Sequence, residues 1–136
     1  CTVAGGGAGS EACPFNIKGA ISAATGNLLN ADKDYYVAGT ITKVKDQFST
    51  KYGNATFWLS DDGTHFVSDD GKSTSDKTHD FEAYQVLWLN NVSWTEGQST
   101  VSAGDKVVLC GKLANYNGLA ETSAKKAYVY SYTPAN

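Results

Sequence analysis

The sequence predicts an all-β fold in which five strands curl into a small barrel, with one short N-terminal helix. Three observations support this prediction. Residues 34–63 contain two consecutive strand patterns, and the apolar positions of the first change phase midway. Asn117-Gly118 separates two further strand patterns, which is typical of a tight hairpin turn. The 136 residues include 14 Gly but only 2 Pro, which suits one β-rich domain with glycine turns.

The first strand carries the signal that the sheet is coiled. Val37 and Ile41 keep to odd positions, whereas the next apolar residue, Val44, is on an even one. An extra residue must therefore be accommodated near Thr42 or Lys43. This pattern predicts a β-bulge, which bends a strand and increases its twist.

The second strand alternates cleanly between two faces. Phe57 and Leu59 share the face expected to meet the core, while Thr56 and Trp58 point the other way. A large aromatic side chain on the polar face of a strand is a candidate for contact with a ligand. Trp58 is therefore the first candidate binding residue.

The rest of the chain divides into an arm and one domain. Residues 1–12, CTVAGGGAGSEA, form a glycine-rich N-terminal arm, and residues 13–136 form the barrel domain. A helix is expected over residues 14–24, and a long polar excursion over 64–80 separates the second and third strands. The expected later elements are a strand at 81–87 with Phe81, Ala83 and Leu87 inward, an irregular lid at 88–104 holding Leu89, Val92 and Trp94, and strands at 106–113 and 126–132.

The charge of the chain disfavours nucleic acid as a partner. The net charge is −3, and every basic residue is Lys. Arg supplies most bidentate contacts to phosphate and guanine, so a nucleic-acid surface without it is handicapped. No apolar run approaches the length of a bilayer span, so we expect a soluble chain.

The cysteines suggest an oxidising compartment. The chain begins at Cys1 without an initiator Met, which suggests a mature, processed protein, and Cys1 would suit the lipid anchor of a bacterial lipoprotein. We favour a disulfide between Cys13 and Cys110, which leaves Cys1 for lipid or an intermolecular bond. The alternative is three reduced thiols. The expected location is extracellular or at the cell surface.

Five sequence segments resemble a known family. They are PFNIKGAI, YYVAGTITKV, YGNATFWLSDDG, FEAYQV and AGDKVVLCGKLANYNG. These segments resemble the OB-fold domain of surface and secreted lipoproteins of Bacteroidota, over nearly all of residues 14–132. The resemblance implies an OB-like barrel and a family often labelled nucleic-acid-binding by analogy of fold. The long 64–80 excursion and the glycine-rich arm depart from the family pattern.

The residues give no catalytic site, cofactor or metal site. His65 and His79 lie in the polar excursion, away from any evident nucleophile and base pair. The excursion's Asp residues suit solvated turns, although a calcium site is an alternative because oxygen ligands cluster there. Asn54 and Asn91 begin glycosylation sequons, which are short and informative only in an organism with that pathway.

The outer face of the second and third strands is the candidate ligand-binding surface. It is the usual ligand platform of OB folds, and Trp58 and Tyr84 share it. The other candidate residues are Thr56, Glu82, Lys43 and Lys45. These side chains could stack on sugars or bases, or pack against another protein. The alternative is an aromatic pair that the chain's own excursion covers.

Together these features predict a non-catalytic extracellular OB-fold module that acts in binding or assembly. A self-assembling filament or matrix subunit would be joined through its arm, with Thr2, Val3 and Ala4 adding to a neighbour as a strand and Cys1 forming a covalent bond to the neighbour's Cys13 or Cys110. The alternative is a module that binds glycan or single-stranded nucleic acid on the outer face. Expected partners are further copies of the chain or other surface proteins, and glycan is a further candidate.

Overall fold

The computed structural model describes residues 7–30 and 32–135, which form a closed five-stranded barrel with strand order β1-β2-β3-β5-β4. The elements in chain order are α1 (Ile17–Thr25), β1 (Tyr35–Asp46), β2 (Ala55–Ser60), β3 (Phe81–Val86), a short 3-10 helix (Leu89–Asn91), β4 (Lys106–Tyr116) and β5 (Leu119–Thr133). This architecture confirms the predicted all-β, OB-like barrel with one short N-terminal helix and a long excursion between β2 and β3.

The barrel closes through one parallel contact. All other strand pairs are antiparallel, but β3 and β5 run parallel, and Glu82 is paired with Glu121 there. The predicted hairpin joins β4 to β5, with φ values of 52° at Asn117 and 89° at Gly118. Positive φ at both central residues is what the favoured two-residue hairpin turn requires. Both strands are longer than the sequence predicted.

The bulge predicted in β1 is present. The pairing of β1 with β2 shifts register between Ile41 and Lys43, and again between Val44 and Asp46. The first half of β1 therefore pairs with β4 and the second half with β2. This coiling of one strand is what allows so short a sheet to close on itself.

Helix α1 packs against the barrel at β1. A Cβ atom on Gly39 would lie 2.6 Å from Ile17 Cδ1, so only glycine allows this close approach. Asn16 caps the helix by accepting from Gly19 N–H at 2.7 Å. Asp61, which follows β2, accepts from the N–H groups of Ile17 at 2.7 Å and Lys18 at 3.0 Å. No helix within the described ranges has the length and apolar character to cross a bilayer.

The inward phase of the third strand changes near its end. Phe81 and Ala83 are buried as predicted, but Gln85 has a φ of 50°. This left-handed residue turns Val86 into the core, so Leu87, which the sequence placed inward, is only half-buried. In the following connection Leu89 and Trp94 pack on the core, whereas Val92 is 50% exposed.

The described part of the glycine-rich segment lies on the chain's own barrel. Gly9 C=O accepts from Tyr36 N–H at 2.9 Å, and Phe15 pairs in parallel with Val37. These contacts occupy the edge of β1 that β2 leaves free. The four arm residues predicted to add to a neighbour, Cys1, Thr2, Val3 and Ala4, lie outside the described residues.

The predicted disulfide between Cys13 and Cys110 is wrong because Cys110 is a free, buried thiol on β4. Its cross-strand neighbours are Tyr36 on β1 and Tyr128 on β5. Hydrogen bonds with the Cys110 thiol raise the pKa of both phenol groups. Cys110 therefore behaves as a small buried residue within a tyrosine-rich face.

The capping of α1 by Asp61 gives a testable consequence. Asp61→Ala should lower the free energy of unfolding by about 1–2 kcal/mol, because two helix N–H groups lose their acceptor. Asp69→Ala removes an exposed aspartate from the excursion and is the matched control. Urea denaturation of the two variants measures the difference. Equal stability of Asp61→Ala and the control would contradict a role for Asp61 in capping the helix.

Candidate functional site

Trp58 is not an exposed binding residue, and the prediction of an open aromatic platform is wrong at this position. Its side chain is fully buried, although it lies on the outer side of β2, opposite Phe57 and Leu59. The excursion covers it, and the indole Nε1–H donates to Gly71 C=O at 3.0 Å. The predicted alternation of the strand therefore agrees with the structure, but the chain itself covers the outer ring.

Asp80 holds the excursion in place over Trp58. Its buried carboxylate accepts from Phe66 N–H at 2.9 Å and from Thr74 Oγ1 at 2.8 Å. Val67 and Thr74 also pair as a β-bridge, which draws the two halves of the excursion together. A buried carboxylate with several donors is stable because each hydrogen bond offsets its loss of hydration.

His79 links Asp80 to the base of the excursion. Its Nδ1 lies 2.7 Å from Asp80 Oδ1, and its Nε2 lies 3.3 Å from Asp62 Oδ1. Burial alone would lower the pKa of His79, but the hydrogen bond and charge of Asp80, then those of Asp62, raise it overall. Hydrogen bonds from the side chain and backbone of Thr64 are the main cause that lowers the pKa of Asp62 to about 2. The charged histidine therefore favours the closed excursion at acidic pH, and this contribution is lost as pH rises above 6.5.

A hydroxyl, a histidine and a carboxylate are in contact at Thr64, His79 and Asp80, as in the catalytic triad of a hydrolase. Their hydrogen bonds, however, differ from those of a triad. Thr64 Oγ1 lies 3.3 Å from His79 Nε2, but it donates to Asp62 Oδ1 at 2.8 Å. A catalytic histidine must accept the proton of its nucleophile, whereas here a second carboxylate takes that hydrogen bond. The arrangement serves to fasten the excursion.

An open groove runs beside the covered ring, and we call it the outer groove. It consists of two adjoining cavities of about 510 and 330 Å³ that share Lys45 and Tyr84. The larger cavity lies towards the loop at 47–54, and the smaller lies towards the β4–β5 hairpin. In OB folds these two loops flank the strand face that binds oligonucleotides and oligosaccharides.

Exposed tyrosines stand at the two ends of the outer groove. Tyr52 lines the larger cavity and is 65% exposed, while Tyr116 lines the smaller one and is 63% exposed. Tyr84 lies between them and is half-buried. Three rings along one concave surface offer apolar faces next to polar groups, as binding sites for small polar ligands commonly do.

The backbone beneath the groove is fixed by two threonines. Thr122 Oγ1 accepts from Tyr84 N–H at 2.8 Å and donates to Tyr84 C=O at 3.0 Å. Thr56 Oγ1 accepts from Gln85 N–H at 3.1 Å. Thr56 is buried and borders the groove, so its hydroxyl supports Gln85 more than it faces a ligand.

Two carboxyl groups meet in the smaller cavity. Glu82 and Glu121 are paired across the parallel β3–β5 contact, and both line the smaller cavity. Burial, then the hydrogen bond and charge of Glu121, raise the pKa of Glu82 to about 7. Burial also raises the pKa of Glu121. The pair therefore holds one proton at neutral pH more readily than ordinary carboxyl groups do.

Three lysines line the groove without carboxylate partners. Lys45, Lys72 and Lys125 face the two cavities. Among the described residues, Lys112 is the only lysine with a carboxylate within 4.0 Å, paired with Asp34 at 2.9 Å. Lys72 and Lys125 are therefore available to a ligand, whereas the charge of Lys45 also acts on Glu82 and Glu121.

Of the candidate face predicted from the sequence, the structure brings together Glu82, Tyr84 and Lys45. Lys43 lies opposite Trp58 on β1 and lines neither cavity. Sequence patterns did not predict five residues that reach the groove from loops, from β4 and from β5: Tyr52, Lys72, Tyr116, Glu121 and Lys125. Glu121 could have been found only from the predicted barrel, because closing that barrel brings β5 next to β3 and therefore Glu121 next to Glu82.

The remaining predicted positions are dispersed. Asn54 lines the larger cavity, while Asn91 is the exposed last residue of the 3-10 helix, and their glycosylation stays a prediction. Within residues 7–30 and 32–135, no three His, Cys, Asp or Glu side chains are grouped as a metal site requires. The chain matches no protein-family model, no curated protein and no solved structure.

The burial of Trp58 changes the effect expected from mutating it. Trp58→Ala should lower the free energy of unfolding by about 3–5 kcal/mol, as Phe57→Ala should, because both leave a cavity. Trp58→Phe should cost about 1–3 kcal/mol, since it mainly loses the hydrogen bond to Gly71. Urea denaturation measures all three. A Trp58→Ala protein with wild-type stability would contradict the burial of this ring.

Proposed function

We propose that this protein is a non-catalytic, extracellular binding module that holds a glycan chain in the outer groove. The observation that carries the proposal is the grouping of three tyrosines, three unpaired lysines and a carboxyl pair along one concave surface. This surface coincides with the ligand face of OB folds. Its location at the cell surface follows from the resemblance to surface lipoproteins and is part of the same proposal.

The groove offers the two kinds of contact that sugars need. A sugar ring presents apolar C–H faces, which pack on aromatic rings such as Tyr52 and Tyr116. Its hydroxyl groups need donors and acceptors, and the amides of Asn54 and Gln85 line the larger cavity. Aromatic surfaces with a few placed polar groups are typical of specific small-ligand sites.

Nucleic acid fits the same surface less well. The protein has a net charge of −3 and no Arg, and the Glu82–Glu121 pair lies within the smaller cavity. A phosphate backbone would find no Arg for bidentate contacts, and the few lysines of the groove could neutralise only a few phosphates. We therefore expect any binding of single strands to be weak and to disappear near physiological salt.

Assembly through the N-terminal arm stays a separate prediction. It rests on residues 1–4, which lie outside the described residues. The neighbouring described segment contacts its own barrel through Gly9 and Phe15, which supports attachment within one chain at that position. The outer groove supports ligand binding independently of any assembly.

The tyrosines at the ends of the groove test the proposal. Tyr52→Ala and Tyr116→Ala should each weaken binding of a glycan selected on an array by about tenfold, which corresponds to ~1.4 kcal/mol. Both side chains are exposed, so unfolding should be unchanged. Leu28→Ala removes a side chain that is 75% exposed and lies outside the groove, so it is the matched control.

Isothermal titration of the four proteins with that glycan gives the measurement. Unchanged affinity in both tyrosine variants would contradict the groove as the binding site. Failure of the wild-type protein to bind any glycan on the array would contradict the proposed ligand class.

A further inference from the structure

The pairing of Glu82 with Glu121 sets the charge of the groove. Glu82 and Glu121 face each other across the parallel β3–β5 contact, and both line the smaller cavity. Two paired carboxylates repel each other, so one proton on the pair is favoured. Glu82 is 7% exposed, so little water is available to hydrate a second negative charge. The pair therefore exists in two states, with one negative charge or with two.

The charged groups around the pair determine how strongly each of these two states attracts an anionic ligand. β1 contributes Lys45 and Asp46, the excursion contributes Lys72, and Lys125 lies at the larger cavity. On the β2 side, Glu82 is paired with the uncharged Trp58. The phenols of Tyr84 and Tyr116 also line the smaller cavity.

The charge balance follows from these groups. The ammonium groups are those of the three groove lysines, and the negative charges are those of Asp46 and the Glu82–Glu121 pair. With one proton on the pair, three positive charges face two negative charges along the groove. Without the proton, three ammonium groups face three negative charges. The groove is thus net positive only while the pair keeps its proton.

We propose that the outer groove selects acidic glycans, whose sugars carry carboxylates, and that the Glu82–Glu121 pair makes this binding depend on a bound proton. The inference rests on the proposed function and names its ligand class. Lys72 and Lys125 are the groups that meet the sugar carboxylates. Lys45 lies between the two cavities and balances the remaining charge of the pair.

Ligand and proton must then strengthen each other's binding. A sugar carboxylate is attracted to the net positive groove and is repelled when the pair loses its proton. By linkage, the bound sugar makes the pair hold its proton more tightly. The pKa of Glu82, about 7, places the change within the neutral range. Affinity should therefore be high below this pH and fall above it.

An oligogalacturonate is a suitable probe because its carboxylates, like ordinary ones, stay ionised from pH 5.5 to 8.5. Its affinity for the full chain should fall by about tenfold across this range at low salt. A neutral cello-oligosaccharide of equal length should bind more weakly and without this dependence. An oligothymidylate serves as the nucleic-acid comparison. Isothermal titration at several pH values measures all three.

Glu121→Gln tests the role of the pair directly. Glutamine keeps a hydrogen-bond donor to Glu82 and fixes the single negative charge, so binding should lose its pH dependence and stay tight at pH 8.5. Glu96→Gln removes an exposed carboxylate outside the groove and should keep the wild-type profile. The carbon-13 shifts of the Glu82 carboxyl group, followed through the same pH range, report the proton without any ligand.

The outcomes separate this inference from the proposed function. Equal binding of the neutral oligosaccharide, or no change with pH, would overturn the inference and leave glycan binding standing. Tighter binding of oligothymidylate would overturn it in favour of nucleic acid. An ordinary titration of Glu82 near pH 4.5 would overturn the proton-sharing pair. Absence of binding by every probe would overturn both proposals.

Discussion

The burial of Trp58 beneath residues 64–80 is the interaction on which the outer surface of the barrel depends. The indole packs on the outside of β2 and donates to Gly71, so the excursion becomes part of the barrel wall. Without that cover, a large apolar ring would face water at the centre of the usual OB ligand face. With it, the accessible surface is displaced to the neighbouring groove around Tyr84.

Electrostatics fasten the excursion and also shape the groove next to it. Asp80 is fully buried and satisfied by Phe66, Thr74 and His79. The excursion in turn delivers Lys72 to the smaller cavity, next to Lys45 and the Glu82–Glu121 pair. The excursion therefore covers the face around Trp58 and supplies a lysine to the outer groove. Both His79 and Glu82 bind protons more readily in the folded protein, so both favour the folded state on the acidic side of neutrality.

Much of the fold could be predicted because it depends on local patterns. The change of apolar phase before Val44 predicted the bulge of β1, and Asn117-Gly118 predicted the hairpin between β4 and β5. Trp58 was assigned correctly to the outer side of its strand, but periodicity cannot show what covers that side. Glu121 was missed because its partner, Glu82, is distant in sequence and meets it only where the barrel closes. The disulfide of Cys110 was favoured over the alternative of a reduced thiol, and wrongly so, because a count of cysteines gives no distances.

The central claim is that the excursion seals Trp58 and leaves the groove as the binding surface. Exchange of the indole N–H with deuterium, followed by NMR on the full chain, tests it most directly. The Trp58 indole proton should exchange as slowly as the backbone protons of the barrel core, because opening requires release of the excursion. Trp94 is an internal comparison, since its indole also donates to a carbonyl, that of Ser99, but the residue is only half-buried. Exchange of Trp58 as fast as that of Trp94 would contradict the sealed excursion and return the exposed face of β2 to consideration as the site.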